Sequence, residues 1–386
     1  MNIVFLIGVY PNYGGTEKIT TVLANRFAAD GNRVWIASFE QPRPELAADL
    51  NETVQLVSLN YPVKSNANEA ILRKLVQDEK IDVIINQWCL PYFVTQLCNR
   101  ARRDTSCKLI SVLHGVPDRS KKVIVAEDSV KAASGLKKVV AEFKLWAVNK
   151  VIQGSLRYVY KNSDKYVLLS PSFKASFEKY ASMRCTDDKL LAIGNPVTID
   201  VEPCRFEDKR KQILYVGRID KENKRVNRIV EAWEALFNDY PDWSLVLVGD
   251  GPHRSELEAY VRNNGIERVS FEGFVKEEPV EYYKKSSILM LTSDLEGFGL
   301  VVVDGMSYGV VPVVYGSYST IYDILDNGVD GFITSYPYNK EETLKALKSL
   351  MDDEKQLRRM SEAAKIKSQL FSVDSVYKKW IDLLNS

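Results

Sequence analysis

The stretch Ser293-Asp-Leu-Glu296-Gly-Phe-Gly-Leu300-Val-Val-Val-Asp304-Gly-Met-Ser-Tyr-Gly309-Val-Val-Pro312-Val-Val314 decides how the rest of the chain is read. An acid at Glu296 is followed by a glycine-flanked loop, an apolar run, a second acid at Asp304, and then Gly309 and Pro312 before another apolar run. If the run from Leu300 is a helix, Glu296 lies in the loop before it and Asp304 just over one turn inside it. Two carboxylates and the free N–H groups of a helix start are then presented to one ligand. That chemistry suits a sugar bearing a phosphate.

Outward from this stretch, strands over 213–216, 245–248, 269–271, 288–292 and 311–314 alternate with helices over 228–237, 253–263 and 280–285. The first half repeats the pattern. Strands are expected over 3–8, 34–39, 54–59, 83–86, 109–113 and 163–170, with helices over 16–29, 69–78 and 94–103 and Gly31 stopping the first of them. Strand–helix alternation predicts parallel sheets. A chain of 386 residues, 45% hydrophobic, is long enough for two cores. Residues 200–212, polar and containing Pro203, read as the linker. The expected division is 1–197, 198–370, and a final helix over 371–386. That helix carries Val373, Val376, Tyr377, Trp380, Leu383 and Leu384 on one side, with Ser372 or Asp374 as cap. A cleft between the two domains is the default ligand site.

The net charge of +1 conceals an asymmetry: residues 1–195 carry about 27 basic and 19 acidic side chains, the remainder about 25 and 32. An anionic partner for the first half and a plain solvated basic surface both fit. Cysteines 89, 98, 107, 185 and 204 form no C-x-x-C pair, and an odd number argues against a disulfide framework, as in a cytoplasmic protein. The apolar start, residues 3–9, lacks a basic flank and is too short for a signal peptide or a membrane span. Two histidines, His114 and His253, and no cysteine cluster make a structural zinc site unexpected.

Three first-half features carry chemistry. Gly14 and Gly15 lie between the first strand and its helix; no G-x-G-x-x-G is present, so NAD and FAD are discounted, leaving approach to a phosphate or a plain turn. His114 ends a strand, at the sheet edge where open α/β folds bind ligands, although a structural role is the commoner one for such a histidine. The basic region 121–165, bounded by Lys121 and Lys165, contains a helical stripe of Leu136, Val140, Phe143, Ala147 and Val151 beside Lys144 and Trp146. Such a mixture fits peripheral contact with a membrane surface. Its untidy period favours a solvated helix packed on its own domain.

Four segments of the second half, in order, resemble the family 4 retaining glycosyltransferases: Tyr215-Val-Gly217-Arg218 through Lys224, Leu247-Val-Gly249-Asp-Gly251-Pro252, Val269 through Gly273-Phe274-Val275, and Glu296 through Asp304 with Gly309 and Pro312. Gly14, Gly15 and His114 match weaker marks of that family, so the likeness covers nearly the whole chain. It implies the GT-B fold, two Rossmann-like domains facing across a cleft, and transfer of a hexosyl group from a nucleotide-diphosphate sugar, UDP ahead of GDP, to a glycan or lipid-linked acceptor.

The resemblance assigns Arg218 and Lys224 to the diphosphate, where fixed cations offset the charge that develops on the leaving group. Surface pairing with Asp220 or Glu222 is the plain alternative. It assigns Glu296 to the donor sugar and the backbone amides of Phe298, Gly299 and Leu300 to the phosphate, with Gly297 and Gly299 leaving room for the backbone to approach the ligand. Asp304 stands where the family motif usually has the glutamate that binds ribose, and is one methylene shorter. Gly217 and Gly249 would flank the nucleotide, Phe274 and Val275 would line the base, and His114 would bond the donor sugar. Phe274 fits a core position equally well. No metal, further cofactor or nucleic-acid partner is implied, and the expected place is the cytoplasm, at the inner face of a membrane if region 121–165 binds one. An epimerase acting on nucleotide sugars and a non-catalytic nucleotide-sugar-binding protein are the rival readings.

Overall fold

The computed structural model describes residues 1–276 and 279–386; the side chain of Lys121, one bound of the basic region above, lies outside the described residues. The chain divides into two units, Met1–Gly194 with Tyr377–Ser386, and Asn195–Val376. Residues 200–212 fall inside the second unit.

The first unit opens with β1 (Asn2–Val9), α1 (Gly15–Ala29), β2 (Arg33–Glu40) and β3 (Gln55–Ser58). It continues through α2 (Asn66–Asp78), β4 (Val83–Asn86), α3 (Tyr92–Ala101) and β5 (Lys108–Leu113). Then come α4 (Lys121–Ala132), α5 (Gly135–Lys161), β6 (Lys165–Leu168), α6 (Phe173–Ala181) and β7 (Leu190–Ala192). Among the described residues the strands form a seven-stranded parallel sheet ordered β3-β2-β1-β4-β5-β6-β7. Helices cover both faces of such a sheet, which is why β1 reads Ile3-Val-Phe-Leu-Ile7 without alternation and is buried throughout. α1 buries Ile19, Leu23, Ala24 and Phe27, one face of a 3.6-residue period, and stops before Gly31 at φ +79°.

The second unit runs β8 (Gln212–Val216), α7 (Val226–Glu234), β9 (Ser244–Val248), α8 (Arg254–Asn263) and β10 (Val269–Gly273). It goes on with α9 (Val280–Lys285), β11 (Ile288–Leu291), α10 (Leu300–Ser307), β12 (Val311–Tyr315), α11 (Ile321–Ile324) and β13 (Phe332–Thr334). α12 (Lys340–Asp352), α13 (Glu354–Ser368) and α14 (Val373–Leu384) complete the chain, α14 passing from the second unit into the residues grouped with the first. Ser372 caps α14, its hydroxyl oxygen accepting the Ser375 N–H at 3.2 Å. Among the described residues the second sheet is six-stranded and parallel, ordered β10-β9-β8-β11-β12-β13.

Both orders reverse direction once. In the first sheet the chain steps outward from β1 on one side and from β4 on the other; in the second the same reversal separates β8 from β11. The carboxyl ends of the two strands at such a reversal diverge and leave a crevice, where ligands bind in open α/β sheets.

In region 121–165 the helix packs on its own unit as expected, but through another face. α5 packs on its unit through Ala141, Ile152, Ser155, Leu156, Val159 and Tyr160. The stripe read from the sequence is not that packing face: Leu136, Val140, Phe143 and Val151 are exposed, together with Val139 and Trp146. Among the described residues no helix is long and apolar enough to cross a membrane.

Candidate active site

In the second unit, the loops that leave β8 and β11 flank the sheet reversal, and they carry Lys224 and Glu296. Asp220 sets the first loop: its Oδ1 accepts the backbone N–H groups of Asn223 and Lys224 at 2.9 and 2.8 Å, closing a turn that side-chain amides and carboxylates commonly stabilise. A second clamp ties that loop to its neighbour. The Asp294 N–H donates to Asn223 O at 2.7 Å, and the Asp294 carboxylate accepts from Arg225 Nε at 2.5 Å and Arg228 Nη1 at 2.7 Å. Arg225 itself sits at φ +51°, a conformation these bonds hold in place.

Within this frame Lys224 Nζ donates to Glu296 Oε1 in an ion pair whose side chains are 24% and 14% exposed. Glu296 leads through Gly297, Phe298 and Gly299 into α10. The Gly297 carbonyl accepts from Thr320 Oγ1 at 3.2 Å, and Phe298 is buried edge-on against Phe371, ring centroids 5.8 Å apart. Gly299 takes φ +86°, where a side chain is strained, and no side chain caps the helix that starts at Leu300. The first N–H groups of α10 therefore have no partner within the helix. Arg218, by contrast, is 68% exposed, with Asp220 Oδ2 3.9 Å from its Nε: a loose version of the surface pairing considered from the sequence.

The glycines of this edge have a reason in the fold itself. A Cβ on Gly249 would lie 1.9 Å from the Gly217 carbonyl oxygen, and one on Gly251 would lie 2.2 Å from that of Ile219. The Gly249 N–H also donates to Gly273 O at 2.8 Å. Three strand ends thus meet backbone on backbone. Beyond them Phe274 is 53% exposed, which excludes the core role considered for it, and Val275 is half-buried.

Asp304 lies inside α10, one turn past its start, and is buried. Its Oδ1 accepts the Thr198 N–H at 2.8 Å and its Oδ2 the Thr198 hydroxyl at 2.9 Å. Both oxygens are thus engaged by a residue 106 positions earlier.

In the first unit, His114 follows β5 and is half-buried; desolvation of its ring lowers its pKa to about 4, so the ring is neutral at ordinary pH. Its Nε2 bonds Gln87 Oε1, which makes Nε2 the protonated nitrogen and leaves Nδ1 as an acceptor with no partner among the described residues. Gln87 follows β4, at the reversal of the first sheet. Gly14 is extended at φ 174° and precedes α1, but a Cβ there would fall 2.1 Å from a Glu17 carboxylate oxygen. An acidic side chain already stands at that helix start. Two hollows elsewhere, one lined by Arg102, Lys161 and Asp164 and the other by Arg210, Arg268 and Lys285, open at the amino ends of the strands, opposite the crevices.

Parallel Rossmann-like units with a cation–carboxylate pair at the reversal of the second sheet make this edge the candidate ligand site. A family model described as Glycosyl transferases group 1 matches residues 198–367, and one described as Glycosyltransferase Family 4 matches residues 13–201. The chain belongs to this family of glycosyltransferases. An uncharacterized glycosyltransferase of Haemophilus influenzae is 24% identical over 96% of this chain and 96% of its own length. Also 24% identical, over 100% of this chain and 98% of its own, is the Campylobacter jejuni GalNAc-alpha-(1->4)-GalNAc-alpha-(1->3)-diNAcBac-PP-undecaprenol alpha-1,4-N-acetyl-D-galactosaminyltransferase. Among solved structures, Anabaena HepE in complex with UDP and glucose superposes with a TM-score of 0.75 at 19% identity, covering 100% of this chain and 99% of its own. The fold is GT-B.

Proposed function

We propose that the chain is a retaining glycosyltransferase that moves a hexosyl group from a UDP-sugar, ahead of a GDP-sugar, to a hydroxyl of a glycan or lipid-linked glycan. The observation that carries this reading is the Lys224–Glu296 pair set at the uncapped start of α10, beside the sheet reversal. Glu296, held in place by Lys224, accepts hydrogen bonds from donor-sugar hydroxyls. The amides of Gly299 and Leu300 meet the phosphate, and Lys224 and the exposed Arg218 offset the charge that grows on the leaving diphosphate. As the bond from the anomeric carbon to phosphate oxygen breaks, the acceptor oxygen bonds to that carbon on the same face. The acceptor's proton passes to the departing phosphate oxygen, so no protein base is required and configuration is retained.

Phe274 and Val275 line the base, with Gly217 and Gly249 keeping the edge beneath it free of side chains. Asp304 stands where the family motif binds ribose, its carboxylate held by Thr198. His114 Nδ1 accepts from a sugar hydroxyl. The choice of UDP draws on HepE, whose structure holds UDP and glucose, and the choice of a lipid-linked acceptor on the Campylobacter relative, whose name specifies one.

Peripheral contact with an anionic membrane is part of the proposal. On α5, exposed Leu136, Val139, Val140, Phe143 and Trp146 are interspersed with exposed Lys137, Lys138, Lys144 and Lys150. Apolar side chains that enter the acyl boundary and lysines that meet lipid phosphates belong together in an interfacial helix.

The test is a panel of UDP- and GDP-sugars against saccharide and lipid-linked acceptors, with the anomeric configuration of the product read by NMR. An α-linked product from an α-configured UDP donor is expected. An inverted product, or interconversion of donors without transfer, overturns the reading.

A further inference from the structure

The Tyr318 hydroxyl is a buried polar group that the fold does not use. Tyr318 lies in the loop between β12 and α11, is 4% exposed, and its Oη has no hydrogen-bond partner among the described residues. The loop that carries it is anchored to the Glu296 loop, Ser317 Oγ donating to Ser293 O at 2.6 Å and Thr320 Oγ1 to Gly297 O at 3.2 Å. A Cβ added to Gly299 would lie 2.7 Å from Tyr318 Oη, so the hydroxyl abuts the residue that precedes α10. An unpaired buried hydroxyl is a net cost to folding. Phenylalanine would fill the same space without it.

The helix start that this hydroxyl abuts offers further donors. The Val302 N–H is taken by Gly299 O at 2.9 Å, but the Leu300 and Val301 N–H groups ahead of it have no partner among the described residues, and the macrodipole adds positive potential there. Glu296, the nearby acid, is already paired with Lys224, so an approaching anion does not meet an uncompensated carboxylate. A group able to accept from helix N–H groups and a phenol at once is an oxyanion. We propose that the Tyr318 hydroxyl donates a hydrogen bond to a phosphate oxygen of a nucleoside diphosphate seated at the start of α10. This rests on the nucleotide-sugar reading above and adds to it a specificity residue that no motif contains. Burial, and secondarily the charge of Glu296, hold the phenol well above its ordinary pKa of 10, so it stays a donor throughout the working range.

The test compares wild type with Tyr318→Phe in two measurements: calorimetric titration with UDP and with inorganic pyrophosphate, and thermal melting of the ligand-free protein. A hydrogen bond to a charged acceptor predicts a loss of about 10-fold or more in affinity for both ligands. The ligand-free variant melts at the same temperature as wild type or higher, the opposite of what a structural tyrosine would show. Equal affinities in the two proteins, or a lower melting temperature for ligand-free Tyr318→Phe, overturn the proposal. If wild type binds pyrophosphate through Tyr318 but does not bind UDP, the anion site stands and the UDP-sugar reading fails. Tyr318-independent binding of UDP has the reverse meaning, and binding of neither ligand sinks both.

Discussion

Replacing Lys224 by Met separates the structural and catalytic roles of one ion pair. With side chains 24% and 14% exposed, the Lys224–Glu296 pair lies between surface pairs, worth about 0–1 kcal/mol, and fully buried ones, whose disruption from one side costs about 3–5 kcal/mol. Lys224→Met leaves a mostly buried carboxylate without its cation and is expected to destabilise the second unit by about 2 kcal/mol. For a unit of this size that is a fall of roughly 4–8 °C in Tm. Glu296→Gln is milder, because the amide oxygen still accepts from Nζ. The double variant contains neither charge, so its Tm recovers toward wild type, the signature of a coupled pair in a double-mutant cycle. Transfer behaves differently: losing the cation beside the leaving diphosphate costs about 10²–10³-fold in kcat, and the double variant does not regain it. Scanning calorimetry and a nucleotide-release assay read the two effects. Wild-type turnover in Lys224→Met, or a double variant no more stable than the single, would refute the reasoning.

Gly249→Ala places a methyl group 1.9 Å from the Gly217 oxygen at φ +136° and should destabilise by more than about 3 kcal/mol. Gly328→Ala, at φ +80° with nothing within 4 Å, should cost about 1–2 kcal/mol; equal Tm losses would contradict this. His114, at about 4 when folded and near 6.5 when unfolded, binds a proton only in the unfolded chain between those values. Stability is therefore lost as pH falls from 6.5 toward 4, by about 1.4 kcal/mol per unit, and a His114 NMR signal titrating near 6.5 would count against it. Phe143→Glu with Trp146→Glu should abolish co-sedimentation with anionic vesicles at low salt while leaving Tm within about 1 °C, since both side chains are exposed; undiminished binding removes α5 as the contact.

The parallel architecture was legible because buried strands such as Ile3–Ile7 and Val311–Val314 are unbroken apolar runs and the helices between them keep a 3.6-residue period. Local order also placed Glu296 in a loop and Asp304 within a helix, as the structure has them. What escaped depends on distance along the chain or on direction. Thr198 holds Asp304 across 106 residues, and nothing local to either announces it. Tyr318 sits among loop residues whose spacing marks a turn and nothing more. The α5 stripe is a case of direction: periodicity shows that Leu136, Val140 and Phe143 share a side, but not that the side faces solvent. α12 and α13 had no expectation at all, although Leu344, Leu347 and Leu350 repeat at helical spacing and are buried.

If the second unit binds a nucleotide as proposed, the meeting of Gly217, Gly249 and Gly273 has a practical meaning for changing which one it accepts. Random substitution along this edge will return glycine at position 249, because any other residue is removed by misfolding before its effect on recognition is sampled. Diversity has to be introduced at Phe274, which is exposed, and at Val275, which is half-buried. The rigidity of the strand ends makes a library there small, and its survivors interpretable.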